Sequence, residues 1–314
     1  MLFRRHHGMS ASAGEALSRV LAAPTFELVP LKGAIHHAAF LPPGARVSVT
    51  ASPIKGIEAT VELCGQLEAA GFRAVPHLSA RMVRDRAHLA DLLASLEGLG
   101  VERAFVVGGD AKTPGEYPDG LSLLRAMKEL HHHFSEVGIP CYPQGHPFIA
   151  DEALLEALHK KAAYASYMTS QLCFDPAAIG SWLTFRRSEG VSLPLHVGMP
   201  GVTEPHRLLA ISARLGVADT HRFLTKNIRF VARLVRSGGY YRPDALLEAL
   251  ASQMAEPRNG ISGLHLYTFN AVEATETWRR RYLAGLVLRG RDPTADRPDP
   301  TAAQARHTPG DAVP

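Results

Sequence analysis

Ala104-Phe105-Val106-Val107-Gly108-Gly109-Asp110 is the stretch on which the fold turns. Apolar β-formers run into two glycines and then a carboxylate. A run apolar on both faces suits a parallel strand covered on both sides. The glycines end it and let a ligand or another backbone approach closely. Asp110 then stands at the C-terminal end of a parallel strand, where open α/β sheets and α/β barrels place their chemistry.

Working outward, similar runs precede and follow. Thr25 to Pro30, Ala45 to Thr50 and Phe72 to Ser79 read as strands before it. Ile139 to Pro143, Ala165 to Phe174, Leu193 to Val197 and Ser262 to Asn270 read as strands after it. Segments with apolar residues at helical spacing lie between them: Ile57 to Ala70, Asp85 to Leu96, Leu121 to Phe134, Glu152 to Ala163 capped by Asp151, and Ile179 to Ser188. Ser10 to Leu21 reads as a lead-in helix. Three more helices, Glu204–Leu215, Arg222–Ser237 and Pro243–Met254, precede the eighth strand, and Glu273 to Leu288 closes the series. Most of the strands begin one βα unit apart. Eight such units make the rhythm of a (β/α)8 TIM barrel with extra helices before the last strand. A doubly wound sheet is the alternative, and the lack of Gly-x-Gly-x-x-Gly after the first strand weighs against it. The expected organisation is a lead-in over residues 1–24, one barrel over 25–288, and a disordered tail over 289–314. The tail is rich in proline and holds no aromatic residue.

Composition narrows the function. With 46% hydrophobic and 20% charged residues the chain is an ordinary globular protein. The net charge of +4 comes without any long Lys/Arg block, so neither nucleic acid nor membrane is an expected partner. Cys64, Cys141 and Cys173 are widely spaced, and a disulfide framework or zinc motif is not expected. No apolar stretch is long enough for a membrane span, and none follows Arg4, Arg5, His6 and His7 as in a secretory leader. A cytoplasmic protein is the expectation. Gly-x-Ser-x-Gly and P-loop motifs are absent.

On a barrel, the strand ends converge on one mouth: Glu27, Thr50, His77 with Ser79, Asp110, Tyr142 with His146, Gln171 with Asp175, Gly198 to Gly201, and His265 with Tyr267, Thr268 and Asn270. Glu27 and Asp110 are the carboxylates that demand a reason, because an unpaired buried carboxylate is expensive. One reason is catalysis, with one carboxyl as acid and the other ionised beside a cation. The other is a salt bridge or a helix cap. His77, His146, His196 and His265 lie at or near strand ends, where a packed core histidine is the ordinary finding. His131-His132-His133 reads as a solvated helical face.

These strand ends, in this order, resemble the methylenetetrahydrofolate reductase family, in a divergent, short bacterial form without a regulatory domain. The matching pieces are Phe26-Glu27 with Pro30, Val47-Ser48-Val49-Thr50, Pro76-His77-Leu78-Ser79, Gly109-Asp110, Tyr142-Pro143 with His146-Pro147, Lys160, Gln171 with Phe174-Asp175, and His265 to Asn270. The resemblance implies a barrel that reduces 5,10-methylenetetrahydrofolate to 5-methyltetrahydrofolate with electrons from NAD(P)H, through FAD. Glu27 would be the general acid that opens the ring to an iminium ion, and Asp110 would stabilise that cation. Gln171 and Tyr267 would hold the folate. Thr50, His77, Gly109, Asp110, Tyr142, His146 and Lys160 fall where the family holds its flavin. Gly108 replaces an arginine usual in the family, Gln144 a glutamate, and Ala163-Tyr164-Ala165-Ser166 the usual Ala-Gly-Ala-Asp. These departures fall on the flavin side and admit direct hydride transfer from the nicotinamide. A folate-binding barrel working in the oxidative direction, or a non-catalytic accessory homologue, are the other readings. The expected partner is a small tetrahydrofolate derivative, and the expected assembly a homo-oligomer.

Overall fold

The structure, a computed structural model, describes residues 9–146, 148–204 and 240–290. Eight parallel strands close into a barrel in chain order. They are β1 (Thr25–Leu28), β2 (Arg46–Val49), β3 (Arg73–Ser79), β4 (Arg103–Val107), β5 (Glu136–Cys141), β6 (Tyr167–Ser170), β7 (Leu195–Pro200) and β8 (Ile261–Tyr267). The helices are α1 (Ala11–Ala22), α2 (Ala34–Ala38), α3 (Glu58–Ala69), α4 (Arg86–Gly98), α5 (Gly120–Glu129), α6 (Asp151–Ala162), α7 (Pro176–Ser188), α8 (Asp244–Ala255) and α9 (Val272–Gly290). The architecture is the (β/α)8 barrel that the strand rhythm predicts.

Strand alternation divides the apolar residues into two sets. Phe26, Leu28, Val47, Val49, Val106, Ile139, Met168, Val197, Leu264 and Leu266 are buried in the core shared with the helices. Val75, Phe105 and Tyr167 form a separate cluster. His77, His196 and His265 belong to the same interior, since their rings pack on Phe105 and Tyr167. The aromatic rings fit because neighbouring strands offer glycine: a Cβ on Gly138 would lie 2.3 Å from the Tyr167 ring and 2.6 Å from the Phe105 ring.

β1 closes the barrel, pairing with β2 through Glu27↔Ser48 and with β8 through Glu27↔Tyr267. The turn after β8 clasps it. Asn270, in the left-handed region at φ +62°, accepts from the Val29 N–H at 2.9 Å and donates to the Val29 carbonyl at 3.2 Å. Thr268 donates from its hydroxyl to the Glu27 carbonyl. Below the barrel, α1 packs on α8, α9 and β8. Ser10 caps α1. The buried Arg279 of α9 grips Glu276 through two hydrogen bonds, of 2.7 and 2.8 Å, and donates to the Leu21 carbonyl at 2.7 Å.

Several local expectations are corrected. α5 stops at Glu129, and His131 takes φ +53°, so the histidine run is a turn rather than a helical face. His133 Nε2 lies 2.7 Å from the Val101 carbonyl oxygen, and its ring packs on the buried Phe134. Asp151 does not cap α6; Ala150 holds that position and Asp151 is the first helical residue, where its charge meets the helix dipole. β6 is shorter than the apolar run suggested, which leaves Gln171 to Phe174 in the loop beyond it. α2 is a short helix with no sequence expectation. α9 continues to Gly290, so the first two residues of the expected tail are helical. The expected helices Glu204–Leu215 and Arg222–Ser237 lie, but for Glu204, outside the described residues, as does the rest of the tail.

Candidate active site

Glu27 sits at the centre of the mouth. It is on the face of β1 opposite Phe26 and Leu28, both fully buried in the outer core. Its side chain is 11% exposed. Its Oε2 lies 3.2 Å from His265 Nε2 and 3.9 Å from His77 Nε2. Register explains the meeting. Thr25 pairs with His265 across the β1–β8 seam, and the Glu27 and His265 side chains both turn inward. His77 arrives from β3, one strand beyond Ser48, whose Oγ stands 2.7 Å from His77 Nε2. The cluster is therefore a chain of contacts: Ser48, His77, Glu27, His265.

Burial sets the charge of its members. Desolvation drives His77 down to about 4, against the pull of the Glu27 carboxylate, with His265 adding to the downward push. The ring is thus neutral at pH 7. Tyr267 lies beside His265, ring centroids 4.9 Å apart, with its hydroxyl donated to the Ser170 carbonyl at 3.1 Å, and burial holds that phenol well above its ordinary value.

A second group stands at the rim of β4 and β5. β4 ends at Val107, so Asp110 is an exposed rim carboxylate and not a buried one. The burial penalty read from the sequence therefore applies to Glu27 alone. Gly109 shapes this turn: its φ is +86°, and a Cβ there would lie 1.8 Å from Ser79 Oγ. Asp110 acts by its charge on Tyr142 and His146. Burial first, then Cys141 and Asp110, push the Tyr142 phenol up to about 12. Burial lowers His146, and Asp110 opposes it. The Tyr142 and His146 rings meet edge-on at 5.2 Å. Beside Tyr142 opens a cavity of about 520 Å³ that reaches Gln144, Lys161, Trp182 and Arg186.

The remaining predicted residues are placed less centrally. Thr50 follows β2 and donates its N–H to the Leu28 carbonyl at 3.0 Å. Gln171 follows β6, its side-chain oxygen accepting from the Leu172 N–H at 2.8 Å. Asp175 is a helix cap, accepting from Ala177 and Ala178 at the start of α7. Lys160 does not join the mouth: it is exposed on α6 and paired with Glu156 of the same helix. Ser48 and His196 carry no role in the sequence reading. Ser48 is signalled only as a polar residue inside an apolar strand; His196 stacks on Tyr167 with ring centroids 4.5 Å apart.

With this geometry in place, comparison with known proteins is informative. Residues 45–280 match the family model for methylenetetrahydrofolate reductase. The chain belongs to the methylenetetrahydrofolate reductase family. It is thereby placed among folate-related oxidoreductases. The matched range begins after β1, so Glu27 lies outside it, while His77, Asp110, Gln171 and His265 lie inside. Similar solved structures include an oxaloacetate acetylhydrolase, 12% identical over 92% of both chains at a TM-score of 0.47. A phosphonomutase-like protein from Burkholderia cenocepacia J2315 is 13% identical over 89% of this chain and 100% of its own, at 0.45. At these scores they carry no argument about chemistry. Among the described residues no helix is long and apolar enough to cross a membrane.

Proposed function

We propose that this barrel reduces 5,10-methylenetetrahydrofolate to 5-methyltetrahydrofolate with electrons from NAD(P)H, through FAD or by direct hydride transfer. The observation that carries the reading is the Glu27 carboxyl, held by two imidazoles at the base of the mouth in a chain of this family. Glu27 protonates the folate nitrogen that leaves the methylene carbon, and the five-membered ring opens to an iminium ion. An acid placed this way supplies about 10²- to 10⁴-fold in rate. Asp110 contributes a fixed negative charge at the rim where the cation forms. The Gln171 amide and the Tyr267 ring orient the pterin.

The residues present fit a nicotinamide or flavin along the β4–β5 rim. A Cβ on Gly108 would meet nothing within 4 Å, which leaves that backbone open to a ligand, and Tyr142 and His146 stand beside it. Gly108 brings no guanidinium for a pyrophosphate; Lys161 and Arg186 of the adjoining cavity are the cations at hand. When bound, the reduced ring supplies the hydride that the iminium carbon accepts.

The test is Glu27→Gln. Folate binding stays within a few-fold while turnover falls by about 10²-fold or more. Loss of folate binding by a folded variant would refute the acid role. The absorbance spectrum of the purified chain decides the hydride route: a stoichiometric flavin favours FAD, and its absence alongside folate-dependent NADH oxidation favours direct transfer.

A further inference from the structure

Glu27, His77 and His265 each bring one ligand-type atom to a common point, all within 4.8 Å of one another. The separations of Glu27 Oε2 from the two Nε2 atoms are 3.2 and 3.9 Å. In a tetrahedral site with bonds of about 2.0–2.2 Å, neighbouring ligand atoms stand about 3.3–3.6 Å apart. The two Glu27 spacings bracket that value, and the His77 and His265 nitrogens lie within 4.8 Å of each other. The three residues come from three strands of a closed barrel, so their backbones are fixed relative to one another before any ion arrives. Little ordering of the chain therefore opposes binding.

We propose that Glu27, His77 and His265 form a binding site for a zinc-class divalent ion at the base of the barrel mouth. Two imidazoles and one carboxylate select Zn²⁺, Co²⁺ or Ni²⁺ over Mg²⁺ and Ca²⁺, which want an all-oxygen shell. Ser48 Oγ presently occupies His77 Nε2 at 2.7 Å. His265 Nε2 and Glu27 Oε2 likewise share a hydrogen bond at 3.2 Å, so two hydrogen bonds give way to three coordinate bonds. Three protein ligands leave a fourth position for water.

The site does not depend on the catalytic reading, but it bears on it. An ion at Glu27 Oε2 occupies the oxygen that would serve the folate nitrogen, so the bound ion and the acid role exclude one another. A loaded chain holds no acid at position 27.

The full chain, freed of metal by a chelator, is titrated with Co²⁺. The site predicts one Co²⁺ per chain with the intense visible bands of a four- or five-coordinate ion, displaced by equimolar Zn²⁺. His77→Gln and His265→Gln each weaken binding by at least about 100-fold. Glu27→Gln, close in shape to the native side chain, does the same with an unchanged near-UV circular dichroism spectrum. A pale six-coordinate spectrum, or tight binding that survives Glu27→Gln, would overturn the site. These readouts need no turnover, so a chain that fails to reduce folate still tests the metal proposal. In an active chain, one equivalent of Zn²⁺ stops turnover and a chelator restores it; full turnover at an occupied site would overturn the competition.

Discussion

Acid should weaken this barrel from its interior. His77 and His196 are both buried, each 9% exposed, and both are held down to about 4 from an ordinary value of 6.5. The first cause in each case is burial. Glu27 opposes it at His77 and Glu136 at His196, while Arg46 and His265 add to it at His196. Because the native rings refuse protons that the unfolded chain accepts, the stability they allow is complete above about pH 6.5. It is lost as pH falls toward 4. At a slope that approaches about 1.4 kcal/mol per pH unit for each proton, each ring removes roughly 1.5 kcal/mol between pH 6.5 and 5, before most carboxylates titrate. Both together take about 3 kcal/mol from a domain whose total stability is typically about 5–15 kcal/mol. Urea unfolding followed by far-UV circular dichroism at half-unit pH steps measures the slope. His196→Gln, which lies outside the chain of contacts around Glu27, should remove one proton's share of it. A flat stability between pH 6.5 and 5, or a variant with the full native slope, would refute the reasoning.

Three further outcomes follow from single contacts. Gly138→Ala drives a methyl against the Tyr167 and Phe105 rings and should lower stability by about 1–3 kcal/mol, read as a drop in Tm. Arg279→Met leaves the buried Glu276 carboxylate unpaired and should cost about 3–5 kcal/mol in chemical denaturation. Asp110→Asn, at an exposed rim position, should leave stability within about 0.5 kcal/mol. It should slow the folate half-reaction far more than nicotinamide oxidation by an artificial acceptor, and equal losses would remove Asp110 from the cation-stabilising role.

The barrel was legible because its signal is local and repeated. Each strand is a short apolar run ending in polar residues or glycine, and each helix carries its own periodicity. The strand ends likewise named Glu27, His77 and His265 as mouth residues. What the chain alone could not display is their union, since Glu27 and His265 are separated by 238 positions and meet only through the β1–β8 register. The apolar run that leads into Asp110 suggests a buried carboxylate; the strand's stop at Val107 puts it in solvent. His131 shows a different limit. Histidine is enriched at positive φ but still adopts it only in a minority of cases, so its identity is too weak a mark to break a run that continues a helical pattern. The short helix α2 lacks the length over which periodicity can be measured.

The clasp of Asn270 on Val29 spans 241 positions, and it has a temporal meaning. On a ribosome β1 is among the first strands made, yet both of its edges cannot be satisfied until β8 has been synthesised. Until then β1 can pair only with β2, and β8's side of the sheet stays open, an edge that nascent chains must keep from other chains. Sequence-distant closure of this kind slows folding. The histidine that contacts Glu27 arrives with that same last strand, so the Glu27 pocket is completed by the event that seals the barrel. A chain interrupted before residue 261 would carry Glu27 with half of its surroundings missing.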